Sequence, residues 1–267
     1  MNRSEGALGR PLRAWVTMVG LLLLAPTAIV IPMSFSASST FQFPPSGWSL
    51  QWYRKFFGSA AWLDSVGNSL RVAVLVGVLA TVVGTAAALG LDRSGFRGRG
   101  ALRGALLAPA IVPSILVAVA MYAAFLKWQL VGSLGGFVLA HTVLAVPFVM
   151  VAVATGLAGF DRTVETASAS LGAGPVTTFR RITLPLLLPG VLSGFVFAFV
   201  TSFDEVVVAL FLQSPKFHTL PVQMYQSVSL QTDPTISAAA SLVVTITTGV
   251  LLLTQLRGNR LTTGNAK

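Results

Sequence analysis

The chain has 267 residues, of which 54% are hydrophobic and only 10% charged, with a formal net charge of +10 and no cysteine. A soluble domain carries about 25% charged residues, so most of this surface is not meant for water, and the missing cysteines remove disulfides, thiol catalysis and thiolate metal sites. The basic balance raises nucleic acid as a partner, but the positions of the charges argue against it.

No Asp, Glu, Lys or Arg occurs between Arg13 and Arg54, Arg71 and Asp92, Arg103 and Lys127, Lys127 and Asp161, Arg181 and Asp204, or Asp233 and Arg257. Each gap holds at least roughly the 20 residues that an α-helix needs to cross about 30 Å of hydrocarbon. The pattern predicts an all-α integral membrane fold with six transmembrane helices, near 13–34, 68–91, 104–126, 133–158, 186–213 and 236–256.

The first apolar run is long for a cleaved signal peptide and five more follow it, so it is expected to be retained as a span. It contains Pro26 and Pro32, which membrane helices tolerate when neighbours satisfy the freed carbonyls. The segment 36–65 is rich in Ser and Pro and then aromatic, with Trp48, Trp52, Tyr53, Phe56, Phe57 and Trp62. Its 49–57 part reads either as a short interfacial helix or as an aromatic belt at the headgroup level, with the belt slightly favoured. Span two carries Gly77, Thr81, Gly84 and Ala88; small residues at near-fourfold spacing predict close helix packing, within the chain or with a partner subunit. The loop 92–103 (DRSGFRGRGALR) reads as a topogenic charge cluster. Span four holds His141 and Pro147; a membrane histidine either bonds a neighbouring helix, the commoner case, or touches substrate.

With six spans the two termini share a side with the loops 92–103 and 159–185, and that side holds thirteen Lys and Arg against Arg54, Lys55, Lys127 and Lys216 opposite. This bias predicts a cytoplasmic N-terminus at 1–12, one transmembrane domain at 13–256 and a cytoplasmic tail at 257–267. The positive charge is then matched to topology and anionic headgroups of membrane lipid, not to nucleic acid. No lysine follows a glycine, so a phosphate-binding loop of the G-x-x-x-x-G-K-[ST] type is absent. His141 and His218 alone make no metal set. No cofactor is expected in this chain, and uphill movement of a solute would draw on an ion gradient or on another polypeptide.

Between spans four and five lies a polar segment, DRTVETASASLGAGPVTTFRRITLPLLLP, at 161–189. Asp161 suits a helix start, Glu165 suits the positive helix end, and Gly172 suits a left-handed helix stop. Pro175 suits the first turn of a second helix, ending about Thr183, with Pro185 opening the next span. The expectation is two short helices at a sharp angle, with a small exposed face (Ala167, Ser168, Ser170) fitted to a groove on a partner.

The spacing resembles the cytoplasmic coupling loop of permease subunits in bacterial ABC importers, E-A-A, three residues, G, nine residues, I-x-L-P. Nine residues after Gly172 stands Ile182, followed by Leu184 and Pro185. Thr166-Ala167-Ser168 occupies the E-A-A position, with only the middle alanine kept, and Glu165 sits one place earlier. The segments 202–228 (SFDEVVVALFLQSPKFHTLPVQMYQSV) and 47–57 (GWSLQWYRKFF) look like the spermidine/putrescine branch of this family, and the similarity covers nearly the whole length. The resemblance implies a bacterial inner-membrane protein that forms half of a translocation pathway with a second permease subunit. Two copies of a cytoplasmic ATPase, which would hold the ATP and Mg, engage the coupling loop at 159–185, and an extracytoplasmic solute-binding protein delivers substrate for alternating access. Glu165, Thr166, Ala167, Ser168, Gly172, Ile182, Leu184 and Pro185 are the coupling residues it implies.

Asp204 and Glu205 lie within or at the outer part of span five; a charge at the centre of a membrane helix costs about 2.5–3.5 kcal/mol on insertion scales. Either they face the pathway and attract a cation, or they bond a neighbouring span or sit in water at the rim. Another ligand (ferric ion, an amino-acid derivative, an oxyanion), a gradient-driven carrier and a membrane scaffold are the competing readings; the Gly172–Pro185 spacing and the missing nucleotide site favour an importer subunit.

Overall fold

The computed structural model describes residues 10–231 and 234–263. They form twelve α-helices: α1 (Arg10–Ser34), α2 (Gln51–Gly58), α3 (Ala60–Arg93), α4 (Arg99–Leu107), α5 (Ser114–Lys127), α6 (Leu134–Ala158), α7 (Thr163–Ser170), α8 (Pro175–Thr178), α9 (Leu184–Asp204), α10 (Val207–Leu212), α11 (Leu220–Gln226) and α12 (Thr235–Thr263). No named strand occurs among the described residues. In a membrane this is the expected solution, because each helix satisfies its own backbone where water is absent.

Two compact units divide the chain, one from Met1–Leu63 with Met224–Lys267, the other from Asp64–Gln223. In the first, α12 packs against α1 and α2. A hydroxyl relay joins them: Ser34 Oγ, the Tyr53 hydroxyl and Ser241 Oγ stand 2.7 Å apart at each step, and Ser241 donates to the Ala238 carbonyl at 2.9 Å. The helical reading of 49–57 is the one realised. Trp52 and Phe56, four apart on α2, are buried with Trp62, and the Trp52 indole donates to the Ser36 carbonyl at 2.8 Å. Only Trp48 and Phe57 keep the exposure that a belt requires.

The second unit is built around α6, which packs most extensively against α9. Phe137, Ala140, Ala145, Val149 and Val153 are fully buried along it. The small-residue stripe of span two is used within the chain. A Cβ at Gly84 of α3 would lie 2.7 Å from the Val149 Cβ, and one at Gly77 would lie 2.8 Å from the Phe195 ring. From the other side, a Cβ at Gly194 of α9 would lie 3.0 Å from Val149 Cγ1.

Among the described residues, four helices are long and apolar enough to cross a membrane: Leu12–Ser34, Ala60–Arg93, Leu134–Ala158 and Pro175–Asp204. The expected span three, 104–126, is not one continuous helix. The stretch Arg99–Ala110, which ends in a 3-10 turn at Ala108–Ala110, meets α5 at 99°. Pro113 supplies no N–H and turns Val112 away from helix. The loop 92–103 is corrected too, since α4 begins inside it, after Gly98 in a left-handed conformation (φ 98°). Span five ends at Asp204, earlier than 213, and α10 follows a break at Glu205 and Val206. The expected span 236–256 lies along α12; residues 232–233, and residues 1–9 and 264–267, where the expected cytoplasmic termini begin and end, lie outside the described residues.

Gly84→Ala forces a methyl group into Val149. It is expected to lower the thermal midpoint in detergent by the usual overpacking cost of about 1–3 kcal/mol, and Val149→Ala in the same chain should recover part of the loss. An unchanged midpoint in the single variant would show that α3 does not approach α6 this closely.

Candidate functional site

The segment 159–185 folds from its caps inward. Asp161 Oδ1 accepts from the Thr163 amide at 2.9 Å, which opens α7. The hydroxyl and amide of Thr163 hold the Asp161 carboxyl below the usual carboxylate range. At the other end Gly172 is left-handed (φ 82°), and the amides of Leu171, Gly172 and Ala173 close on the carbonyls of Ala167, Ala169 and Ser168. A Cβ at Gly172 would meet nothing within 4 Å, so glycine is required there for its backbone alone. Gly174 then caps α8, with Pro175 in its first turn.

The expected pair of short helices is present, with two corrections. Ser168 belongs to no exposed face; it is buried, and its hydroxyl lies 2.9 Å from that of Thr178, fastening α7 to α8. Nor does the chain break before Pro185. From α8 it continues through a π-helical turn at Phe179–Thr183 directly into α9. Pro185 offers no N–H to the turn before it, and the wider turn accommodates that lost bond.

Glu165 occupies the first turn of α7, where the helix dipole favours a carboxylate. Its Oε1 accepts from Arg93 Nη2 at 2.5 Å and from the buried Thr183 hydroxyl. One turn away the charges cross over: Arg162 Nη2 donates to Asp92 Oδ2 at 2.5 Å and to the Asp92 carbonyl at 3.2 Å. Adjacent residues at the end of α3 thus grip opposite charges in the polar segment, while Glu165 also reaches the turn leading into α9. Sequence reasoning missed Asp92, Arg93 and Thr183, because long-range pairing leaves no local spacing to find. It also passed over the outward tip. Leu171 is 89% exposed and Val176 71%, beside exposed Thr166, Ala167 and Ser170. Ile182 lies in the π turn; Leu184 and Pro185 open α9.

The acidic pair is not brought together on one helix face. Asp204 is the exposed last residue of α9. Glu205 is extended, and its Oε1 accepts from the Val208 amide at 2.8 Å, capping α10. His141 is fully buried, with Nδ1 3.0 Å from Ser202 Oγ and its ring 5.7 Å from that of Phe137. It takes the helix-bonding role, joining α6 to α9; its Nε2 has no partner among the described residues. No group of three or more His, Cys, Asp or Glu able to hold a metal occurs among the described residues.

Comparison with known proteins agrees with this architecture. Residues 80–261 match the family described as binding-protein-dependent transport system inner membrane component. The chain is 32% identical over 243 residues to the spermidine/putrescine transport system permease protein PotC of Haemophilus influenzae, covering 91% of this chain and 94% of that one. It is 31% identical over 242 residues to the putrescine transport system permease protein PotI of Escherichia coli, covering 88% and 86%. Its fold resembles a chain of the bacterial ABC transporter that imports the acidic polysaccharide alginate, with a TM-score of 0.68 at 15% identity over 97% of this chain and 98% of that one. The chain belongs to the family of binding-protein-dependent inner membrane components, as a multi-pass permease subunit of an ABC importer, a transport chain and not a catalytic one.

Proposed function

We propose that the chain forms half of a polyamine pathway in a bacterial inner membrane and that segment 159–185 receives the work of a separate ATPase. The carrying observation is the build of that segment: an exposed apolar tip, Leu171 and Val176, on a base bonded to α3 and to the turn before α9. A tip without internal partners suits a groove on another chain, and its base passes force to two apolar helices at once. In this reading the segment is the cytoplasmic coupling loop between spans four and five of six. Both termini are cytoplasmic, and two ATPase copies supply ATP and Mg. A second permease completes the pathway, and an extracytoplasmic binding protein loads it. Closure of the ATPases draws the coupling helices together and turns the pathway outward. The polyamine assignment rests on relatives named for spermidine and putrescine.

Three outcomes are expected. Ala167→Arg or Leu171→Asp should abolish co-purification of the ATPase while the permease still reaches the membrane; retained ATPase would remove the coupling role. Arg93→Glu and Glu165→Arg should each lower substrate-driven ATP hydrolysis, and the double exchange should restore it. Because Arg93 is exposed and such pairs are worth only ~0.2–1 kcal/mol, the thermal midpoint of Arg93→Glu should barely move, which separates coupling from stability. Asp204→Asn with Glu205→Gln should reduce uptake of radiolabelled spermidine with the complex intact. The amide oxygen that Glu205→Gln introduces can still cap α10, so unchanged uptake would take the pair out of the pathway.

A further inference from the structure

Arg99 and Arg103 stand four apart on α4, hence on one face of it. With Asp92 they border a cleft of about 70 Å³ whose apolar floor includes Ala88, Leu91, Met150 and Leu157. The Asp92 carboxylate is already held by Arg162. Arg99 spends one N–H on the Ser94 carbonyl at 3.2 Å, and among the described residues neither Arg99 nor Arg103 is paired with a carboxylate. The mouth of the cleft therefore carries net positive charge over a hydrocarbon floor.

The cleft does not end there. Leu107 and Val151 line both it and a second groove of about 740 Å³, within the roughly 300–1,000 Å³ of small-molecule sites. That groove is walled by apolar surface, including Ala110, Pro147, Phe148, Pro189 and Phe197, and holds no charged residue. Along α6 it runs from Gly156 back to Pro147, about 14 Å of helix rise. This is roughly half of a 30 Å hydrocarbon core, the depth of one leaflet. A cationic mouth opening into one leaflet's depth of apolar wall has the polarity of a phospholipid. A polyamine would be repelled by the mouth and would find no carboxylate in the groove.

We propose that an anionic phospholipid occupies this site, with its phosphate between Arg99 and Arg103 and one acyl chain in the groove between α4, α6 and α9. The inference rests on the chain's place in the membrane and not on its solute. It assigns α4 a purpose: its arginines hold the headgroup while Leu107 and Ala110 after it wall the acyl chain.

The test uses the full chain in nanodiscs of phosphatidylcholine with or without phosphatidylglycerol. Phosphatidylglycerol should raise the thermal midpoint and remain as an adduct in native mass spectrometry. Arg99→Gln with Arg103→Gln should weaken that binding about 30-fold, two near-surface charges at their usual worth, whereas Arg97→Gln, outside the cleft, should leave it unchanged. Ser193→Trp, which fills the groove, should remove the adduct with both arginines in place. Equal losses in the Arg97 control and the Arg99/Arg103 variant would reduce the effect to diffuse charge and overturn the site. Displacement of the adduct by inorganic phosphate would overturn the lipid in favour of a free anion. Because the chain lacks cysteine, Ser193→Cys reports cleanly on the groove: cross-linking of this residue to another polypeptide in the assembled transporter would give the groove to a partner helix instead.

Discussion

Val149 stands where three helices converge, and its position requires that two of them present no side chain. Gly84 approaches from α3 and Gly194 from α9, each too close for a Cβ to enter without displacement. In hydrocarbon there is no hydrophobic penalty to drive helices together, so their association depends on such close backbone approach. Because α6 is held on both sides, its remaining length forms a rigid wall. α9, α10 and the stretch Arg99–Ala110 all pack against α6 within one compact unit.

The polar segment joins this core through charge. Asp92 and Arg93 are neighbours at the end of α3, yet they pair with residues three apart at the start of α7, a base and then an acid. A single pair leaves a hinge free to turn; two crossed pairs fix an angle. Glu165 then extends the connection to Thr183, so the segment cannot tilt against α3 without also disturbing the turn that enters α9. The exposed tip at Leu171 lies outside all these contacts. Its apolar side chains, exposed at Leu171 and Val176, are set apart from the charged residues that hold the angle.

Much of this was legible in the sequence, for a simple reason. Charge is expensive in hydrocarbon, so its absence over about 20 residues marks a span; α6 and most of α3 fill their gaps, while α1 ends well before its gap does. The caps of the polar segment were readable too, because Asp161, Gly172 and Pro175 act on backbone within a few residues. What failed was long-range or competitive. The bend before Pro113 lies in an uncharged run, and hydropathy has no term for a missing N–H. The end of α9 at Asp204 has no Pro or Gly to announce it; the break is stabilised by Glu205 turning to cap α10. Ser168 looked like part of a small exposed face, but its hydroxyl had a partner ten residues on.

The π turn at Phe179–Thr183 has a consequence for aim. Such a turn holds one residue more than an α-helix would, and each residue corresponds to about 100° of rotation. Everything upstream of it, from Pro175 back through Gly172 to Glu165, is therefore turned about the axis of α9 relative to where an uninterrupted α-helix would carry it. The direction in which the tip points is set by a miscount of one residue beside Pro185. In this protein the bearing of an exposed apolar tip is written into the winding of the long helix it leads into.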